Sequence, residues 1–240
     1  MSKILTCIYR ACDLELTANS FRSLRRPYFD KRKCFKSFWD SFNNQYCEII
    51  LVWDGDKNND LYRYVSALPI KIVHMEERGN TPSLLKCYEL AQTINTPFGY
   101  LIEDDYAHLP NSFYVLIDMF YYSDLVSLYD HPDRYGPMRQ QDITLGKEYI
   151  YVGKYCHFRT AESTTMSFGF RKETLNKYYS SLVAAAKRGV GAADDRGWWR
   201  EMVVNGYRLV TPIPALNSHL VKNCESPFIN WESYINSIKL

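Results

Sequence analysis

Three consecutive carboxylates, Glu103-Asp104-Asp105, follow directly on the apolar run Phe98-Gly99-Tyr100-Leu101-Ile102. Adjacent acids repel one another, so a fold holds them at the mouth of a buried strand most easily where a cation or a ring of hydrogen-bond donors sits beside them. A second apolar run ends in Val52-Trp53-Asp54-Gly55-Asp56, and the first in the chain ends in Tyr9-Arg10. Hard oxygen ligands of this kind, with water completing the shell, suit Mg2+ or Mn2+, and such an ion would in turn bind a diphosphate. A further pair, Asp194-Asp195, opens a helical pattern carrying Trp198, Trp199, Met202 and Val203 on one apolar face. A carboxylate at a helix N-terminus is favoured in its ionised form by unpaired N–H groups and the macrodipole, and an ionised acid accepts a proton from an attacking hydroxyl. Asp194 equally suits an ordinary N-cap.

The elements that must position these groups are short apolar runs rich in β-branched and aromatic residues, at 4–9, 48–53, 70–75, 99–102, 125–129 and 207–211. Helical patterns lie between the early ones, which gives an α/β fold with a largely parallel sheet. In such sheets ligands collect beyond the carboxyl ends of the strands, where Arg10, Asp54 and the 103–105 acids all fall. Phe35, Phe38, Trp39 and Phe42 recur at helical spacing, as do Leu84, Cys87, Tyr88 and Ala91 after Thr81-Pro82, where Thr81 suits an N-cap and Pro82 the first helical position. Residues 130–147 read as a long polar loop, 149–152 as a strand, 165–170 as another, and a helix begins near Glu173. Residues 189–193 read as a flexible lead into Asp194, and 155–159 as a mobile segment holding His157; His108, His157 and His219 are structural histidines by default.

At 240 residues and 46% hydrophobic content, the chain buries a full core, most simply as one domain. A formal net charge of +2 gives no global argument for nucleic-acid binding. Seven scattered cysteines without a Cys-x-x-Cys pair read as free thiols in a reducing compartment, and no apolar stretch approaches the roughly 18 residues of a membrane span. The expectation is a soluble cytoplasmic protein. Arg22, Arg25, Arg26, Lys31, Arg32, Lys33 and Lys36 form one dense basic run. Its plain reading is a solvated helix face; the alternatives are a diphosphate contact or attraction to an anionic acceptor or a membrane surface. The P-loop, the Gly-x-Gly-x-x-Gly fingerprint and the Gly-x-Ser-x-Gly elbow are absent.

In the order of these motifs the chain resembles nucleotide-sugar glycosyltransferases of the GT-A fold, in particular glycosyltransferase family 2. Residues 49–56 resemble the family's strand ending in Asp-Asp-Gly-Ser, with Trp53 in place of the first Asp. Glu77-Arg78-Gly79-Asn80 resembles its segment before the donor-side helix, and Ile102-Glu103-Asp104-Asp105 stands at its Asp-x-Asp motif, with Glu103 for the first Asp. Residues 193–200 resemble the acidic motif that opens a helix, and Asn205-Gly206-Tyr207-Arg208-Leu209-Val210 the strand after it.

The resemblance implies a GT-A fold over residues 1–240, a central mixed, mostly parallel sheet flanked by helices, with a nucleotide-sugar half to about residue 106 and an acceptor half beyond. It implies a metal-dependent, inverting transfer from a nucleotide-diphosphate sugar to a glycan or other hydroxyl acceptor. By the same resemblance Asp54 hydrogen-bonds the nucleobase, Tyr9 stacks on it or contacts it, and Arg10 and Arg78 belong to the donor site. Asp105 is the principal ligand of Mn2+ or Mg2+, with His219 a further metal or diphosphate contact. Asp104 and Glu103 hold the ribose or reach the metal through water. Asp195 is the catalytic base and Asp194 the neighbour that could exchange roles with it. The rival readings are a nucleotidyltransferase on a similar sheet and a non-catalytic sugar- or partner-binding module of the same fold.

Overall fold

The computed structural model describes residues 2–13, 25–135, 148–165, 167–189 and 194–240. Arg22, most of the expected 130–147 loop and the 190–193 lead therefore lie outside the described residues. Strands β1 (Leu5–Cys12), β2 (Cys47–Asp54), β3 (Lys71–His74) and β4 (Phe98–Glu103) run parallel in the order β3-β2-β1-β4. The sheet continues through β9 (Gly169–Arg171), β6 (Leu125–Val126), β10 (Leu209–Ile213), β8 (His157–Ala161) and β7 (Ile150–Val152). Strand β9 is antiparallel to both β4 and β6, while β8 is antiparallel to β10 and β7, so the sheet is mixed. A separate ribbon pairs β5 (Tyr106–His108) with β11 (Asn217–His219).

Side chains alternate across a strand, and β1 shows what this separates. Leu5, Cys7, Tyr9 and Ala11 face one helical layer, whereas Ile8 faces the other. The first layer consists of α1 (Lys31–Phe42), α2 (Asp60–Ser66) and α4 (Ser112–Met119), whose Phe35, Phe38, Phe42, Leu61, Val65, Phe113 and Leu116 join that core. The second consists of α3 (Asn80–Thr93), α5 (Lys172–Arg188) and α6 (Asp195–Val204), contributing Leu84, Tyr88, Leu175, Leu182, Trp198 and Trp199. A last helix, α7 (Trp231–Ser237), packs Trp231 and Ile235 against Cys34 of α1 and Ala107 of the ribbon.

Local chemistry starts and stops these elements. Asp30 caps α1, accepting the N–H of Arg32 at 2.8 Å and of Lys33 at 3.2 Å; such a cap stabilises by about 1 kcal/mol. Helix α3 begins at Asn80 behind Gly79, one residue before the expected cap Thr81, and has no side-chain cap. Gly79 sits at φ +137°, a conformation that suits glycine and aims its N–H back toward the strand ends. At Gly99 a Cβ would lie 2.1 Å from the Phe170 ring, so glycine lets β9 close against β4. The 155–159 segment, expected to be mobile, instead supplies β8, whose backbone bonds hold it between β10 and β7.

Candidate active site

Strand β1 has β2 on one side and β4 on the other, so the chain direction of the strand order reverses between β1 and β4. The crevice beyond their carboxyl ends is the topological switch point of the sheet. Arg10 stands opposite Glu103, and Cys12 opposite Asp54. Parity places Arg10, Asp54 and Glu103 on the α3 side, since Ile8, Val52 and Leu101 pack there.

Each acid of the opening run meets a cation of the chain itself. Glu103 pairs with the Arg10 guanidinium, which also donates to the Asn80 side chain at 2.7 Å and to its carbonyl at 2.9 Å. Asp104 accepts from Lys31 Nζ at 2.7 Å and from the Cys12 N–H at 3.1 Å. Asp105 faces His219 Nε2 at 3.1 Å, with an Arg25 nitrogen at 3.7 Å. Burial opposes charge on Asp105, but His219, Arg25 and Lys31 together hold its carboxyl well below the usual range. Burial likewise opposes the His219 imidazolium, and Asp105 with Cys224 outweighs it, raising the pKa to about 10.

Asp54 is buried, and its two oxygens have separate duties: Oδ2 accepts the Gly79 N–H at 2.8 Å, and Oδ1 lies 3.3 Å from Arg78 Nε. Arg78 also reaches Asp13, whose Oδ2 accepts the Asp56 N–H at 2.6 Å. Asp13 comes this close because residue 55 is glycine; a Cβ there would lie 2.7 Å from its side chain.

The two acids that open α6 are given different settings by the fold. Asp194 is the N-cap, accepting the Gly197 N–H at 3.1 Å, with Arg188 Nε at 3.3 Å. The side chain of Asp195 instead turns inward, and its buried Oδ1 has no hydrogen-bond partner. Burial first, then the charge of Glu103, raises its pKa to about 7, with Arg10 opposing. The helix N-terminus favours the ionised form of Asp195, and burial acts against it.

Tyr9 is not where its expected role requires it. It is fully buried, its ring 5.1 Å from Phe35 and 5.0 Å from Phe38, on the α1 side of the sheet. No face of the ring is left for a base, because parity sends residue 9 and residue 10 to opposite layers. His108 is buried within a Tyr100–Asn217 network, with Tyr100 Oη 2.9 Å from its Nε2, and its default structural reading fits this setting.

Among the described residues, no group of three or more His, Cys, Asp and Glu side chains could by itself hold a metal ion. Asp105 and His219 do come together as a two-residue edge, and the buried Oδ1 of Asp105 lacks a hydrogen-bond partner. One or two protein carboxylates with substrate phosphates completing the shell is a common mode for Mg2+, so Asp105 Oδ1 fits such an ion, while His219 could join it only after giving up the proton that its pairing with Asp105 favours. Sequence reasoning missed Asp13, and also Cys224 and His131 beside His219. Hydrogen bonds from His131 and His219 bring the Cys224 thiol down to about 6. Nothing in the spacing of residues 131, 219 and 224 announces that grouping; only the β5–β11 ribbon and the turn after it create it.

A parallel four-strand half with acids at the switch point, joined to a mixed half that brings in a helix-start carboxylate, defines the GT-A-like fold of glycosyl- and nucleotidyltransferases. Among solved structures the chain is similar to 4-diphosphocytidyl-2C-methyl-D-erythritol synthase from Anaerococcus prevotii, at 12% identity over 98% of this chain and 95% of that one, TM-score 0.51. It is also similar to S. aureus TarS, at 11% identity over 87% of this chain and 35% of that one, TM-score 0.50. The chain thus spans about a third of TarS. No family model matches the chain, and no curated protein matches it.

Among the described residues no helix is long and apolar enough to cross a membrane.

Proposed function

We propose that the protein is a glycosyltransferase that moves a sugar from a nucleotide-diphosphate donor to a hydroxyl of a glycan or other acceptor, with inversion at the anomeric carbon. The observation that carries this reading is Asp195: a half-buried carboxylate released from capping by Asp194, its Oδ1 buried without a hydrogen-bond partner, with a pKa raised to about 7. A base with that pKa is matched to proton abstraction at neutral pH. The acceptor oxygen attacks the anomeric carbon, its proton passes to Asp195, and the bond from that carbon to the donor phosphate breaks. Asp54, anchored by the Gly79 N–H, faces the nucleobase, and Arg78 closes that end of the crevice. Asp105 and His219 would hold Mn2+ or Mg2+, which when bound neutralises charge on the departing diphosphate. Arg10 and Lys31 hold Glu103 and Asp104 in place.

A nucleotidyltransferase is the second reading, favoured by the likeness to the erythritol synthase across nearly the whole of both chains. Against it, residues 9–24, Tyr-Arg-Ala-Cys-Asp and onward, contain no glycine with which to wrap a triphosphate after β1. The two readings differ in product. Incubation with a panel of nucleotide sugars should release nucleoside diphosphate in wild type and not in Asp195→Asn. Release of pyrophosphate from a nucleoside triphosphate and a sugar phosphate, with no nucleoside diphosphate from any sugar donor, would replace the first reading by the second.

A further inference from the structure

Arg25, like Lys31, is a member of the basic run that the fold takes away from a solvated helix face. Its side chain is only 10% exposed, and both terminal nitrogens are buried without a hydrogen-bond partner. Its charge is compensated at longer range, by Asp105 Oδ2 at 3.7 Å and by the Phe29 ring at 4.2 Å from the guanidinium carbon. Its donors are not. A guanidinium carries N–H groups in a planar fork, and leaving buried donors unmade is costly. The backbone contributes to the placement: Arg25 bridges Val221, two residues past the end of β11, so it is tied to the ribbon that carries His219.

The neighbouring cations have partners of their own. Lys31 is held by Asp104, Arg10 by Glu103 and Asn80, and Arg26 by Glu225 at 2.9 Å. Arg25 therefore presents a buried fork of unmatched donors at the same crevice end where Asp105 leaves an unmatched acceptor. A planar fork of this kind matches the oxygens of a phosphoryl group, and it does so bidentately where lysine would act as a point charge.

Resting on the nucleotide-sugar reading above, we propose that Arg25 is the anion subsite of the crevice, taking phosphoryl oxygens of the donor's diphosphate on its two terminal nitrogens. The ligand class is a diphosphate, free or esterified to a nucleoside; the base and the sugar lie beyond the reach of this residue.

The test is calorimetric titration of the intact protein with inorganic pyrophosphate, nucleoside diphosphates and the parent nucleosides, each with Mn2+ and with EDTA. Arg25→Gln should weaken pyrophosphate and nucleoside diphosphate by about tenfold or more in at least one of the two conditions, and leave nucleoside affinity unchanged. Arg25→Lys should fall between wild type and Gln, because it restores the charge without the fork; it is also the variant to read if Gln does not fold. Arg26→Gln should bind like wild type. Diphosphate affinity equal in Arg25→Gln and wild type under both conditions would overturn the subsite while leaving the donor reading intact. An equal loss in Arg26→Gln would reduce the effect to general charge and also overturn it. Wild-type protein that binds neither pyrophosphate nor any nucleoside diphosphate would remove both proposals.

Discussion

Asp105 and His219 stand 114 positions apart in the chain, yet Oδ2 of one lies 3.1 Å from Nε2 of the other. The relationship is made by backbone. In the ribbon, His219 of β11 is in register with Tyr106 of β5, and the Leu220 N–H donates to the Asp105 carbonyl at 3.0 Å. The imidazole stacks on the Tyr106 ring at 4.8 Å with an interplanar angle of 10°, which fixes its plane and aims the nitrogen.

This pair makes stability depend on pH in a stated direction. Asp105 has its pKa lowered in the folded state, so its contribution is present above the unfolded carboxylate range and lost below it. His219 has its pKa raised to about 10, so its contribution is complete below the unfolded histidine value and lost as pH rises toward 10. Both are complete only between roughly pH 4 and 6.5. His219→Asn should therefore lower the melting temperature most in that window, by the equivalent of about 3 kcal/mol for a broken buried pair. The deficit should shrink as the pH approaches 10. Melting curves of both proteins from pH 4 to 10 check this, and a deficit that grows with pH would contradict it.

Asp195 imposes a second pH dependence, on rate. Its pKa of about 7 means that the base form gains population through neutrality, so kcat/KM for transfer should rise with pH along a limb centred near 7. Asp195→Asn should abolish that limb and lower transfer by at least about a hundredfold while donor affinity persists. The same substitution should raise the melting temperature most at pH 8, less at pH 5, and leave it nearly unchanged below about pH 4. The reason is that the unfolded carboxylate ionises above about pH 4 while the folded one keeps its proton to about pH 7, so the cost grows across that window and is complete above it. A profile flat from pH 5 to 9 would contradict the assignment.

Asp194 should behave as a cap and not as a base. Asp194→Ala removes the acceptor for the Gly197 N–H and should cost about 1 kcal/mol. Transfer should be retained with its pH limb in place. Gly197→Ala should resemble it, because a Cβ at 197 would lie 2.3 Å from the Asp194 carboxylate. Thermal melts and a pH–rate profile of Asp194→Ala decide the matter; a loss of transfer equal to that of Asp195→Asn would reverse the roles.

Tyr9→Phe offers a direct check on the corrected role of that residue. The Tyr9 hydroxyl is buried without a hydrogen-bond partner, so deleting it should leave stability unchanged or improve it. Donor affinity should not move. A drop in nucleotide-sugar affinity by calorimetry would return Tyr9 to the donor site.

Much of this arrangement is legible in the sequence, and the limits have physical causes. Strand ends rich in acid point to the crevice because carboxylates that close an apolar run need cations or hydrogen-bond donors beside them, and this locates Asp54 and the 103–105 run. The alternation of β1 also carries information that the motif reading overlooks: Ile8 and Arg10 share one face and Tyr9 the other. The pairing of Asp105 with His219 depends on a three-residue ribbon too short to show a periodic pattern. For Asp195, helix position is visible in the sequence, but the desolvation that dominates its pKa comes from tertiary burial. The cations that compensate Glu103, Asp104 and Asp105 arrive from β1, α1, the segment before it and β11, which no local spacing joins.

The central claim, that this crevice takes a nucleotide-diphosphate sugar, is tested most directly by thermal shift against a panel of nucleotide sugars, wild type beside Asp54→Ala. A ligand that binds only the folded state raises the melting temperature, by the equivalent of about 2.7 kcal/mol at a hundred times its dissociation constant. A saturable rise is expected in wild type for sugars sharing one nucleobase, lost in Asp54→Ala. No rise with any nucleotide sugar, in the presence or absence of Mn2+, would contradict it.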